Sequence, residues 1–457
     1  MHKQIFSLND VEGFNASQTI DLHKKYLNKG LVSLQSLIKF DKVYKSAGNC
    51  IITDADGKQY LDFLGGYGAL NLGHNHSYII KSLSKVSNCP NILQAGLNPY
   101  AAALASNLAL LNDGILKRSF FCNSGAEAVE GALKLAKAAS GRAGIVYCKN
   151  SFHGKTYGAL SVTGREKYRK SFKPLMPQCE EIPFGDAVAL EEKLKKFDAA
   201  AFIVEPVQGE GGIIVPPEGY LEKVRNLCTK YDTLLILDEI QTGFGRTGKM
   251  FAYQHEEVYP DVICLAKSLG GGIMPIGAYI TTDDIYHKAY AGIEKCLLHT
   301  STFGGNTYAC AAAIAAIEVI YNENLIEKAA EIGSYLMDRL IQLKNSYRVV
   351  SEVRGKGLMV GIEFNNKSSK LLNAISAGSI ENIKNEYYAS LVAGKLLNEY
   401  NILTAYTLNN PNVIRIEPPL TVSKEQIDRL VDALDDIFKK SKGFIGMALG
   451  SVKNVVR

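Results

Sequence analysis

Residues 262–266 form an apolar run that ends in Lys267 and opens onto Ser268-Leu269-Gly270-Gly271-Gly272. A second apolar run, residues 234–237, ends in Asp238-Glu239-Ile240-Gln241. Short apolar runs bounded by turn residues read as buried strands of a parallel sheet. Ligands of open α/β sheets bind at the carboxyl ends of such strands. Taken singly, Lys267 also reads as a solvated lysine closing a strand, and Asp238 as a metal ligand or a helix cap. Taken together they offer an amine and a carboxylate at two strand ends. The amine can condense with an aldehyde, and the carboxylate can keep a facing pyridine nitrogen protonated.

Upstream, a third strand candidate ends at Cys122 and is followed by Asn123-Ser124-Gly125-Ala126-Glu127 and a helical pattern. Ser124 with Glu127 fits a capping box, so a plain helix start is one reading. The same residues suit a phosphate dianion: amides of Gly125 and Ala126, the Ser124 hydroxyl and the positive end of the helix dipole. After the candidate strand at 144–148 comes Ser151-Phe152-His153-Gly154-Lys155, where Phe152 or His153 could stack on a planar ring, or Phe152 could be a core aromatic. An amine, a carboxylate, a phosphate cradle and an aromatic are what a pyridoxal 5'-phosphate (PLP) site needs. Lys267 would form a Schiff base with the cofactor aldehyde. Displaced by a substrate amine, it would carry the proton between substrate and cofactor carbons. The cationic ring would act as the electron sink.

Gly243-Phe244-Gly245-Arg246-Thr247-Gly248 matches G-x-G-x-x-G, and Gly243 to Lys249 matches the start of a nucleotide-binding loop. The latter needs Ser or Thr next, and the residue is Met250. The former lies mid-sheet, where a dinucleotide fingerprint does not belong. A glycine-rich loop near the active site is the better account.

The elements that must position these groups alternate. Strand candidates at 118–122, 144–148, 200–204, 233–237, 262–266 and 276–280 are mostly separated by helical patterns, which argues a parallel sheet covered on both faces. A helical start at 21–40 and a hairpin at 49–63 around Asp56-Gly57 precede them. Long helices and strands at 357–364 and 413–417 follow. The expected organisation is an N-terminal segment, 1–75, a large α/β domain, 76–325, and a C-terminal part, 326–457. The two end segments would pack together as a smaller α+β domain. Residues 365–383 read as a polar loop or insertion, and 439–457 as a helix end with a frayed basic terminus.

The 457 residues allow two or three domains and an ample core. A net charge of +5, with no basic patch interleaved with aromatics, gives no case for nucleic acid. Nine scattered cysteines without a C-x-x-C pair suit a reducing compartment, with no disulfide framework and no zinc site. No signal peptide and no run of about 18 apolar residues is present, so a cytoplasmic protein off the membrane is expected. His74 and His76 could suggest a metal but read as structural, and no metal is expected.

In combination the motifs resemble the class III (ω-)aminotransferases of PLP fold type I. The segments are NSGAEAVEGALKLAK (123–137), FHGKTYGALSVTG (152–164), VEPVQGEGG (204–212), LILDEIQTGFGRTGKMFA (235–252), PDVICLAKSLGGGIMPIGA (260–278), TSTFGGNTYAC (300–310) and IRIEPPLT (414–421). The resemblance implies further roles. Phe152 and Ile240 would sandwich the cofactor, Gln241 would bond its phenolic oxygen, and Glu205 would stand near Asp238. Thr302 would reach the phosphate of a neighbouring subunit, which implies a homodimer or dimer of dimers with sites at the interface. Glu210 and Arg415 match a switch: the carboxylate masks the arginine while the amine is bound and frees it to grip 2-oxoglutarate, ideally with bidentate geometry. Tyr67 would line the substrate approach. Ornithine-type relatives carry an arginine where this chain has Lys155, and the two are not interchangeable at a bidentate site. The similarity is greatest to the putrescine-aminotransferase branch. The expected reaction therefore moves a terminal amine of putrescine, cadaverine or another ω-amine to 2-oxoglutarate. Ornithine, acetylornithine, 4-aminobutyrate or a secondary-metabolite aldehyde are alternatives on the same fold. A PLP racemase or mutase, or a non-catalytic scaffold, is the alternative of another class.

Overall fold

A computed structural model of the chain describes residues 5–92, 95–365 and 379–441. Its centre is a seven-stranded sheet in the order Arg118–Cys122, Gly277–Thr281, Val262–Leu265, Leu234–Asp238, Ala199–Val204, Gly144–Cys148 and Cys179–Ile182. Gly144–Cys148, Ala199–Val204, Val262–Leu265 and Gly277–Thr281 are buried at every position. That is why they read as unbroken apolar runs: helices such as Gly125–Ser140 cover both faces of a sheet of this kind.

One expected parallel strand is antiparallel. Gly277–Thr281 runs against both of its neighbours. Only residues 266–276 link it to the preceding strand, fewer than the dozen or so that a parallel crossover takes. The sheet also gains an unexpected strand, Cys179–Ile182, paired in parallel with Gly144–Cys148. It lies at the sheet edge, and its Glu180 and Glu181 hide it from a search for apolar runs.

The N-terminal segment builds a second sheet from Tyr44–Gly48, Ile51–Asp54 and Gln59–Asp62. Its hairpin turns where expected: Asp54 Oδ1 accepts the amides of Asp56 and Lys58, and Gly57 takes a left-handed φ of 83°. The fourth strand of this sheet, Ile402–Leu403, comes from the other end of the chain and pairs in parallel with Gln59–Asp62. A third sheet comprises Val350–Lys356, Met359–Phe364, Val413–Ile416 and Ala405–Tyr406. The helix expected over 21–40 is two helices, Ala16–Tyr26 and Lys29–Leu37. Asn28 divides them, because its side chain accepts the Leu31 amide and starts a new helix.

The polar stretch expected as a loop at 365–383 holds the start of a helix, Ser379–Glu399. Its residues 366–378 lie outside the described residues, as do 442–457 of the basic tail; the last helix is Lys424–Ser441. Among the described residues, no single helix is long and apolar enough to cross a membrane. The alanine-rich helix Thr307–Asn322 is largely buried and packs on the turn that carries Lys267.

Candidate active site

Asp238 closes its strand at the carboxyl edge of the central sheet, and Glu205 and Ser124 follow two others. Lys267 does not end a strand. The strand stops at Leu265, and Lys267 takes a left-handed backbone, φ 50°, at the head of a 3-10 turn, Lys267–Gly270. A non-glycine residue rarely holds that conformation unless its surroundings impose it. Here the buried turn packs against Thr307–Asn322. A cavity of about 530 Å³ opens at this edge. It is lined by Ser124, Gly125, Ala126, Phe152, His153, Glu205, Glu210, Asp238, Ile240, Gln241 and Lys267.

Burial holds the Lys267 ammonium below the ordinary lysine range, although Glu417, Glu210 and Asp238 pull the other way. A lowered lysine pKa means more free amine at neutral pH, which is what a nucleophile and proton carrier requires. Asp238 is buried, and its Oδ2 lies 2.7 Å from His153 Nδ1 while its Oδ1 accepts the Ile240 amide. The His153 ring is therefore committed edge-on to Asp238.

Glu205 sits behind this pair and accepts the amides of Phe152 and Gly209 at 3.0 Å each. Burial raises its pKa to about 7, opposed by His153 and assisted by Asp238. Burial raises Glu239 to about 7 as well. A carboxyl raised from 4.5 in the folded state is neutral in both states at low pH. It then costs stability as pH climbs from the unfolded value towards the folded one. A Glu205→Gln variant cannot ionise there. Its melting temperature should fall less steeply between pH 5 and 8 than that of the parent; equal slopes would remove Glu205 from the pH dependence.

The phosphate cradle is a helix start. Ser124 caps Gly125–Ser140 by accepting the Glu127 amide. The reciprocal bond is displaced by one residue, since Glu127 Oε2 accepts the amide of Asn123. Helix geometry leaves the Gly125 and Ala126 amides without acceptors inside the helix. Gly125 leaves room for Ile240: a Cβ there would meet Ile240 Cδ1 at 2.7 Å and push that side chain aside.

Arg415 is fully buried behind Glu210 rather than in the cavity wall. Its Nη2 lies 2.6 Å from Glu210 Oε1 and its Nη1 3.1 Å from Glu417 Oε2. Burial alone would lower its pKa, but the two carboxylates hold it above the ordinary value. Tyr67 lies outside the cavity lining; its ring faces the guanidinium at 5.2 Å, and its carbonyl accepts Gln241 Nε2. Lys155 is exposed, with its ammonium 4.5 Å from the Tyr168 ring and 5.8 Å from Phe152. Thr302 is exposed and stands apart from the cavity.

Glu417 was not singled out by sequence. The signal was available: it lies two residues beyond Arg415 in a strand pattern, hence on the same face. Residues 243–248 of the glycine-rich loop are not among those lining the cavity. Buried Arg246 reaches the carbonyls of Leu358 and Pro418 and the Asn71 side chain, tying the large sheet to the C-terminal part. His74 and His76 do not converge: His74 pairs with Asp62 and His76 with Glu323.

An aldehyde-bearing pyridine phosphate requires an amine, a buried carboxylate, free helix amides and apolar faces. Lys267, Asp238, Gly125–Ala126 and Phe152 with Ile240 bring these to one cavity. The fold and site define a PLP-dependent enzyme of fold type I. Solved structures of similar fold include the ornithine aminotransferase of Toxoplasma gondii, with 30% identity, a TM-score of 0.82 and coverage of 95% of this chain and 99% of that one. Another structure of that enzyme is described with PLP at its active site. The acetylornithine aminotransferase of Elizabethkingia anophelis is 32% identical, with a TM-score of 0.75 over 93% and 99% of the two chains. The chain belongs to the class-III aminotransferase family, whose profile matches residues 36–438. It is 41% identical to a putrescine aminotransferase of Pectobacterium atrosepticum, over 97% of this chain and 93% of that protein. It is 40% identical to the aminotransferase PigE of a Serratia species over 93% of its length, and spans about half, 54%, of PigE.

Proposed function

We propose that the enzyme transfers the terminal amine of a diamine, putrescine or cadaverine, to 2-oxoglutarate, giving an amino aldehyde and glutamate. The observation that carries this is the masked arginine. With Glu210 at 2.6 Å from Arg415, the approach to the cavity presents a carboxylate, which suits a donor whose far end is an ammonium. The exposed Lys155, in place of an arginine, supports a donor without an α-carboxylate. The similarity to a putrescine aminotransferase over nearly the whole chain points the same way.

When bound, PLP supplies an electron-accepting ring conjugated to the amine-bearing carbon. Asp238 would hold a proton on the pyridine nitrogen, its carboxylate fixed by His153. Gly125 and Ala126 would bind the phosphate, and Phe152 and Ile240 would pack on the ring. Lys267 would hold the cofactor through Nζ, and its amine would take the proton from the donor's amine-bearing carbon and return it. Glu210 yields Arg415 to the distal carboxylate of the acceptor. Thr302 would complete the phosphate site of a second copy, in a homodimer.

The test is a panel of amines and 2-oxo acids in separate half-reactions, followed through the cofactor's absorbance. Putrescine and cadaverine should react at least about tenfold faster than ornithine, acetylornithine or 4-aminobutyrate. Ornithine leading the panel would overturn the diamine reading. Arg415→Ala should slow the 2-oxoglutarate half-reaction far more than the amine half-reaction, and equal losses would remove the switch.

A further inference from the structure

Two buried carboxylates share Arg415, and they are held in different ways. Glu417 follows the strand Val413–Ile416. Its backbone amide donates to the Phe63 carbonyl at 2.8 Å, and its own carbonyl is pressed so closely that a Cβ on Gly65 would lie 2.2 Å from it. Its Oε2 accepts both Arg415 Nη1 at 3.1 Å and Gln241 Nε2 at 3.3 Å. Glu210 instead stands on the loop that follows Ala199–Val204, and its second oxygen accepts the Leu408 amide at 2.9 Å.

The donors of Arg415 divide accordingly. Nη1 is hydrogen-bonded to Glu417. Nε is buried with no acceptor among the described residues, and Nη2 is held by Glu210 Oε1 at 2.6 Å. Nε and Nη2 form the side of the guanidinium, one of the edges that can hold a carboxylate by two parallel bonds. A buried N–H such as Nε without an acceptor is costly unless something supplies one.

We propose that Glu417 is a positioning residue that anchors Arg415 through Nη1 in both half-reactions. Displacement of Glu210 then opens only the Nε–Nη2 edge to a dicarboxylate acceptor. This rests on the reading that Arg415 meets the acceptor's distal carboxylate. Without the anchor, the guanidinium would follow Glu210 or turn its other edge to the ligand.

The test measures binding of glutarate and of butyrate, a dicarboxylate and a monocarboxylate that do not react, to the cofactor-loaded enzyme by calorimetry. Glu417→Asp keeps the charge but withdraws it by one methylene, and Glu417→Gln keeps the length without the charge. Both should weaken glutarate about tenfold and shift butyrate less than about twofold. Unchanged binding in the Asp variant with tighter binding in the Gln variant would mean charge alone matters, and the anchor is wrong. Equal losses for both ligands would mean general damage and also overturn it. Arg415→Ala separates the two readings. If it leaves glutarate unaffected, the proposed role of Arg415 fails and the anchor with it; if it weakens glutarate while neither Glu417 variant does, only the anchor fails. A glutarate complex of the unsubstituted enzyme gives a second measurement. It should keep Glu417 on Nη1 with Glu210 displaced, and Glu417 leaving Nη1 would overturn the proposal.

Discussion

Lys267→Ala should lower turnover with every amine donor by at least about 10⁴-fold. Two functions depend on one atom. In the proposed reaction Nζ would tether the cofactor and, once displaced, would carry the proton at the hard step. Burial prepares it for both by favouring the free amine. The left-handed residue lies just past the strand end and lines the cavity. The variant should also lose the visible absorbance of lysine-bound cofactor while its melting temperature stays near that of the cofactor-free parent. Small added amines such as methylamine should restore part of the rate, because they supply the proton carrier without the tether. Undiminished turnover would sink the assignment.

Asp238→Asn should cost on the order of 10³-fold in kcat. Asparagine preserves the shape and can still accept the Ile240 amide, so the fold should tolerate it. It cannot supply the negative charge that keeps a facing pyridine nitrogen cationic, and electrostatic stabilisation of the developing charge is lost with it. Because His153 acts through Asp238, its replacement by glutamine should cost much less than the loss of Asp238 itself. A kcat within tenfold of the parent in Asp238→Asn would show that the electron sink does not depend on this carboxylate.

Lys267 and Asp238 were legible because buried parallel strands write themselves as apolar runs, and a polar residue just past such a run stands out. The helix start at Ser124 was legible for a similar reason: its cap, glycine and acidic residue are local signals. What escaped was set by partners distant in sequence. Cys179–Ile182 is a strand because Gly144–Cys148 offers it an edge, and its own composition is that of a loop. The reversal of Gly277–Thr281 follows from connection length. The proximity of Lys267 and Asp238 arises from the pairing of Asp238 with Cys264, which no local pattern encodes. Glu417 was visible only as a residue two places from Arg415; that both would be buried together depends on the packing of Phe63 and Gly65 against it.

The order in which these parts leave the ribosome differs from the order of their importance to the chemistry. Every strand of the central sheet, with Ser124, Asp238 and Lys267, is synthesised before residue 282. Leu408, Arg415 and Glu417 follow more than a hundred residues later, as does Ile402–Leu403, the strand that covers the edge of Gln59–Asp62. A chain cut short before residue 402 would carry Lys267 without Arg415, and would expose a strand edge prone to aggregation. Completion of the C-terminal end thus supplies Arg415 and covers that strand edge in one step.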